Sequence, residues 1–489
     1  MQTKGWPKAG LRQLHNLAGA HWREPLADGW LDVQNPATQE ILARVPLSSA
    51  REVDIVVQEA VRAFPAWSRI PAPQRLQVLV RYKVLLEQHA QELAESITRE
   101  NGKTLAEARA EIGRGIECLD FCLAIPSLLM GRALADVAHG VDVEVLRVPL
   151  GVVAGIVPFN FPMMVPMWMY PLAIACGNTV VMKASERVPL TLTRLAELFL
   201  EAGGPPGVLN LLHGSADTAM ALIAHPHVRA VSFVGSERVA RQVYEAAARA
   251  GKRVQALSGA KNHLVVMPDC AWEPTVGQIL QAAFGSQGQR CMAASVVVAV
   301  GDIADRLVAD LKDGADRIRV GDGREPDVDM GPVISQAAYD RIAGYVARGA
   351  LGGAELVRDG RGEGPPGGYF LGPTVFDRVS VDSELWRDEI FGPVLAVVRV
   401  KDLDEALEVV NQSAYGNGAS IFTQSGAHAR AFRERVEAGM VGINVGVPAP
   451  VAYVPFAGWK ASFFGDLHAN GEDGVNFYTE RRVITSRFY

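Results

Sequence analysis

Between positions 49 and 123 apolar side chains recur at three- and four-residue intervals, the spacing of helices that each bury one face. Val53, Val56, Val57, Ala60 and Val61 form the first stripe; Ser49 and Glu52 open it as a capping box, and Pro65 is expected to end it. A second helix is predicted over 73–100, stopped by Asn101-Gly102, and a third over 104–123. The chain is thus expected to open with a helical layer. From 141 the period changes. Residues 141–147 alternate, while 152–157, 179–183, 208–212 and 230–234 are short apolar runs with helical patterns between the last three. Short buried strands alternating with helices specify an α/β fold with a parallel sheet and crossover connections. A second such series runs from 264 to 300 and on to about 445, and the glycine-rich 351–368 reads as a surface excursion. Residues 476–488 are strand-like and need an edge to pair with. The alternating pair over 131–147 is expected to be a projecting hairpin that supplies one, across a subunit boundary.

The length of 489 residues exceeds one core of ordinary size, so two or more domains are expected. A net charge of −6, spread along the chain, offers no basic stripe for nucleic acid and no lysine-rich helix for a membrane surface. Small-molecule partners are expected instead. Five cysteines are too few and too scattered for a disulfide framework, which argues for a reducing, cytoplasmic compartment. Cys118 and Cys122 share a helix face, but no second pair at zinc spacing follows, so no metal site is expected. Residues 1–19 lack the continuous apolar core of a secretory signal. The most apolar stretch, 145–182, is interrupted by five prolines and reads as buried strand, turn and helix rather than a membrane span.

Four segments carry candidate chemistry. Cys291 follows a glycine-rich turn and a guanidinium, in Gly288-Gln289-Arg290-Cys291-Met292. A free thiol of ordinary pKa ~8.5 is mostly protonated at neutral pH, and a neighbouring cation raises its reactive fraction if the fold turns Arg290 inward. A free cysteine is most often a small buried hydrophobe, so the other segments must decide. Asn160, in Pro158-Phe159-Asn160-Phe161-Pro162, sits in a rigid turn after a strand, where α/β folds place ligands. Its amide could serve a developing alkoxide; the plainer role is a turn asparagine bonding its own backbone. Lys183 and Glu186 close a strand with a cation and an anion, a pair suited to ribose hydroxyls and hostile to a 2′-phosphate, which favours NAD over NADP. Gly235 and Ser236 turn a strand into a helix whose free amides would hold phosphate, although no Gly-x-Gly-x-x-Gly occurs.

In this order and spacing, together with Glu389-Ile390-Phe391-Gly392-Pro393 and Pro455-Phe456, the segments resemble the aldehyde dehydrogenase superfamily over nearly the whole chain. The resemblance implies a hemithioacetal on Cys291, its oxyanion held by Asn160, hydride transfer to NAD and a thioester on Cys291. Phe159, Lys183, Glu186, Gly235 and Ser236 would contact the cofactor, Glu389 would hold its nicotinamide ribose, and Phe391 would lie beside the ring. Two parallel-sheet domains follow from it: 1–127 with 148–257 for NAD and 258–461 for the nucleophile. Segments 128–147 and 474–489 would build a homodimer or homotetramer. In hydrolytic members a water-activating glutamate stands where this chain has Leu257. An aliphatic side chain takes no proton, so general-base help worth ~10² to 10⁴ in rate is missing and coenzyme A becomes the expected acyl acceptor. Gly155 to Pro162, Gly259-Ala260-Lys261-Asn262-His263 and Asn476-Phe477-Tyr478-Thr479 look like the CoA-acylating methylmalonate-semialdehyde dehydrogenases, although those carry asparagine at the Leu257 position and proline at Ala184. That subfamily implies a carboxylate clamp by Arg290 and Arg114, with Phe161 and Phe456 also facing substrate. The expectation is oxidation of malonate or methylmalonate semialdehyde to acetyl-CoA or propionyl-CoA. The alternatives are a hydrolytic dehydrogenase for another carboxylate, sulfonate or phosphonate aldehyde, a non-redox cysteine acyltransferase, and a non-catalytic paralogue.

Overall fold

The computed structural model describes residues 12–489; the reading of 1–19 as no signal segment therefore lies mostly outside the described residues. Five parallel strands form the centre of the first sheet, in the spatial order Arg253–Leu257, Val228–Val234, Val152–Ile156, Thr179–Lys183, Leu209–Leu212. All of their residues except Arg229, Val234, Arg253 and Val254 are buried, which is why these strands read as largely unbroken apolar runs. Chain order reverses between Val152–Ile156 and Val228–Val234, and the crevice outside the carboxyl ends at such a switch is where open α/β sheets bind ligands. Phe463–Gly465 closes one edge antiparallel, and Asn16–Ala18 with His21–Arg23 closes the other.

The second sheet runs Glu355–Arg358, Thr374–Asp377, Val394–Val400, Ala294–Val300, Asn262–Val266, Gly418–Phe422, Met440–Ile443, parallel except for its first pair. Only residues 258–261 separate the end of Arg253–Leu257 from the start of Asn262–Val266. The carboxyl ends of the first sheet therefore meet the amino ends of the second, and the residues that matter lie in that seam.

The helical layer differs from expectation in three places. Among the described residues five strands precede it: Arg12–Gln13 and Ala27–Gln34 flank Ile41–Ser48 in a separate ladder, and Asn16–Ala18 and His21–Arg23 extend the first sheet; their mixed polarity hid them. The first helix, Ala50–Trp67, runs past Pro65, because buried Trp67 anchors its last turn by an indole hydrogen bond to the Ile174 carbonyl at 3.1 Å. Only half of its capping box forms: Ser49 accepts from the Glu52 amide, but the buried Glu52 carboxylate turns instead to Asn16 (3.1 Å) and the Leu26 amide (3.2 Å). The predicted 73–100 helix is two, Ala72–Gln88 and Ala90–Asn101, broken at His89. Gly102 stops the second in the left-handed region at φ 95°, as Asn101-Gly102 foretold. The third, Leu105–Cys122, carries a full capping box between Thr104 and Glu107.

Within the apolar 145–182 stretch, Met164–Ala175 is buried on nearly every side, a core helix rather than an amphipathic one. Among the described residues no helix is long and apolar enough to cross a membrane. The end of the chain is a short helix, Gly471–Phe477, and then the strand Thr479–Arg487, which starts later than the expected 476 and pairs along its length with Val141–Pro149 of the same chain rather than across a subunit boundary. Arg132–Ala138 completes this third sheet, which leaves Leu134 and Val483 about two-thirds exposed (64% and 65%).

Candidate active site

Strand Val152–Ile156 delivers the Asn160 turn into the seam. Asn160 is 6% exposed, and its carbonyl accepts from Lys103 Nζ at 2.8 Å. Its side-chain amide bonds no group among the described residues, so it is not the self-satisfied turn asparagine that an isolated Asn usually is. Beside it, Thr179–Lys183 ends in the buried Lys183, whose Nζ meets Glu186 Oε2 at 2.9 Å. Burial would raise the Glu186 carboxyl, but the Lys183 charge and hydrogen bond more than offset it and hold the group below its ordinary value. Strand Val228–Val234 turns through Gly235 into helix Glu237–Arg249, with Ser236 at the N-cap. The Ser236 hydroxyl makes no capping bond, so the first-turn amides have no side-chain acceptor. Gly235 has a steric reason, since a Cβ there would run into the Phe233 ring.

Across the seam, helix Trp272–Phe284 breaks into a tight turn in which Ser286 and Gln287 both take left-handed backbone, φ 48° and 56°. Strain of that kind persists only where neighbours impose it. Glu107 does so by accepting from the Ser286 amide at 2.6 Å, and Gly288 packs so closely on the Gly392 carbonyl that no Cβ would fit. The turn delivers Cys291, whose own carbonyl is clamped by the Asn262 and Asn417 amides, each at 2.9 Å. Burial pushes the Cys291 thiol up to about 12, helped by the Glu389 charge; Arg290 pulls the other way and loses.

Arg290 is spent elsewhere. Its guanidinium donates to the Gln281 and Ala282 carbonyls at the end of the preceding helix, while its buried Nε has no partner. Arg114 lies on helix Leu105–Cys122 and bonds Glu117 Oε2 at 2.7 Å and the Pro450 carbonyl. The two guanidiniums thus hold different groups, and no shared anchor joins them.

Glu389 reaches over the 258–261 connection and accepts from the Ala260 amide at 2.9 Å. Burial pushes its carboxyl up to about 7 and the neighbouring Lys261 ammonium down to about 7; Lys261 Nζ donates to the Asp388 carbonyl at 2.7 Å. Phe391, at φ 51°, meets Phe159 edge to face with ring centres 5.9 Å apart. Phe456 packs on Trp168 at 4.9 Å, and Phe161 lies under Lys103 Nζ, 4.3 Å from the ring centre. Leu257, the last residue of its strand, is 5% exposed in the same core cluster as Met292 and Phe456, against which Cys291 also packs.

Lys103, Glu107, Glu111, Asn262 and Asn417 were not singled out from the sequence as site residues. Each is polar, and Lys103 and Glu111 are within 3% of complete burial, but single-sequence periodicity does not show which surface another domain will cover.

The aldehyde dehydrogenase family model matches residues 22–484. A malonate-semialdehyde dehydrogenase of Geobacillus kaustophilus (strain HTA426) is 54% identical over 481 residues, 98% of this chain and 99% of that protein. One from Halalkalibacterium halodurans is 53% identical over 477 residues, covering 97% and 98%. Among solved structures, a Sinorhizobium meliloti 1021 protein in complex with NAD superposes with a TM-score of 0.97 at 41% identity, covering 99% of each chain. The methylmalonate-semialdehyde dehydrogenase of Oceanimonas doudoroffii does so with 0.96 at 44% identity, covering 98% of this chain and 99% of that one. With a family match across more than nine-tenths of its length and relatives at this identity end to end, the chain belongs to the aldehyde dehydrogenase family.

Proposed function

We propose that this chain oxidises malonate semialdehyde or its 2-methyl homologue, with NAD as hydride acceptor and CoA as acyl acceptor, and releases carbon dioxide to leave acetyl-CoA or propionyl-CoA. The observation that carries the choice of CoA is the apolar, buried Leu257 at the seam, so this strand end brings no carboxylate to activate water.

The residues present fit a dinucleotide. The uncapped first turn behind Ser236 has amides for a pyrophosphate, and the Lys183–Glu186 pair has the donor and acceptor that ribose hydroxyls require. Glu389 would hold the nicotinamide ribose, and Phe391 and Phe159 would flank the ring. NAD, when bound, supplies the electrophile that takes a hydride from the reacting carbon.

Cys291 sulfur, once deprotonated, adds to the aldehyde carbon, and the carbonyl pair moves to oxygen. The unpartnered Asn160 amide donates to that alkoxide, the arrangement that makes oxyanion donors worth about a hundredfold or more in rate. After oxidation the carbon is an acyl thioester of Cys291. The CoA thiolate adds to it, and Cys291 leaves with the carbon–sulfur pair. The β-carboxylate departs as carbon dioxide, its bonding pair passing into the thioester as an enolate that then takes a proton. Before that loss the carboxylate needs cations: Arg290 retains an unpartnered Nε, and Arg114 is 38% exposed, enough for each to turn a donor to an anion.

A second reading rests on Glu389. A partly buried carboxyl lifted to about 7 beside the thiol is poised to deprotonate water, which would make the enzyme hydrolytic. NADH formation from malonate semialdehyde with and without CoA, with the product identified by mass spectrometry, separates the two. Turnover that depends on CoA and yields acetyl-CoA is expected; equal turnover without CoA, yielding free acid, would assign water activation to Glu389.

The third sheet, with its exposed edge and apolar side chains, supports a homodimer or homotetramer built through 128–147 and 474–489. The functional division into 1–127 with 148–257 and 258–461 follows the two sheets. Five free cysteines accord with a reducing, cytoplasmic setting.

A further inference from the structure

The Asn160 turn has no backbone ladder of its own. Pro158 and Pro162 lack amides, and among the described residues no backbone–backbone hydrogen bond reaches 158–162. Three side chains, from the end of helix Ala90–Asn101, from helix Leu105–Cys122 and from the connection between them, hold it instead. Asn101 Nδ2 donates to the Phe159 carbonyl at 3.0 Å. Lys103 Nζ donates to the Asn160 carbonyl at 2.8 Å and to Glu111 Oε2 at 2.7 Å. Glu111 Oε1 in turn accepts from the Met163 amide at 2.8 Å and the Met164 amide at 3.1 Å. The ion pair grips the turn at both ends, and both side chains are 1% exposed. Desolvating two charges this completely seldom adds stability over an apolar pair of the same volume, so the pair calls for a role in fixing geometry.

We infer that Lys103, paired with Glu111, is a positioning residue that sets the Asn160 amide where the oxyanion forms. The inference rests on the proposed oxyanion role of Asn160. Helix Leu105–Cys122 reaches the other side of the site through Glu107 and the Ser286 amide, so one helix end registers the oxyanion donor against the nucleophile turn. Lys103 acts on the first of these alone.

The test combines steady-state oxidation of malonate semialdehyde with alkylation of Cys291 by iodoacetamide, a reaction that forms no oxyanion. Asn160→Ala is expected to lower kcat about a hundredfold. Lys103→Met should lower kcat about tenfold or more in the native chain but less than about twofold in the Asn160→Ala background, because a residue acting only through Asn160 loses its effect with it. Its alkylation rate should stay within about twofold of native, a sign that fold and nucleophile are intact. The double variant Lys103→Met/Glu111→Gln leaves no unpaired buried charge and keeps an acceptor for Met163 and Met164, and it should show the same loss of kcat. Recovery of kcat in the double variant, a multiplicative loss with Asn160→Ala, or an alkylation rate that falls with kcat would each overturn the inference. No loss in Asn160→Ala itself would overturn the oxyanion assignment beneath it.

Discussion

Cys291 keeps its proton at neutral pH in the cofactor-free chain, because burial and the Glu389 charge together outweigh Arg290. The alkylation rate of this thiol follows its thiolate fraction, so well below about 12 it should climb about tenfold per pH unit. Glu389 modifies that slope. Its carboxyl ionises near 7, and the charge it gains raises the thiol pKa further, so the native profile should be shallower between pH 6 and 8, about the Glu389 pKa, and full above it. In Glu389→Gln the repulsion is gone: alkylation at pH 8 should be several-fold faster and the slope uniform. A plateau below pH 9, or slower alkylation in the variant, would refute this account of the thiol. The same residues show what a local pattern reveals. Asn160, Lys183 and Glu186 sit at fixed distances from strand ends, so their entry into the seam was legible. The direction of Arg290 was not, because the carbonyls that capture it belong to the end of a helix whose packing no local pattern records.

At the scale of elements, helix Leu105–Cys122 does more than fill the first layer. Glu107 reaches the Thr104 amide at 3.1 Å with one oxygen and Ser286 with the other, so the capping box and the nucleophile turn share a carboxylate. Thr104→Ala removes the hydroxyl half of the box and should cost about 1 kcal/mol of local stability. Hydrogen exchange of the Glu107 and Ala108 amides should then accelerate about fivefold, the kinetic equivalent of that energy. Unchanged protection would mean that Ser286 alone holds Glu107 in place. The capping box expected from the sequence was the one at Ser49 and Glu52; the Thr104–Glu107 box and its second partner, 179 positions away, appear only in the fold.

For the whole molecule, the third sheet is where the proposed assembly would form. Leu134 and Val483 stand in it about two-thirds exposed, where a lone protomer would keep charges. Leu134→Asp with Val483→Asp should leave the two large sheets folded and shift the light-scattering mass from dimer or tetramer to monomer. A native chain that is already monomeric would refute the proposed assembly.

The amino-acid sequence determined the alternation of strands and helices, the strand-end turns and the lone cysteine after its glycine-rich turn, because each depends on residues within one or two turns of chain. It also determined that Leu257 brings no carboxylate to the seam. Tertiary structure alone decided that the two sheets meet end to end across four residues, that Lys103 and Glu111 grip the Asn160 turn, and that the Cys291 thiol is raised rather than lowered. Burial and charge at a point are sums over groups brought together from distant parts of the chain, and no local pattern contains that sum.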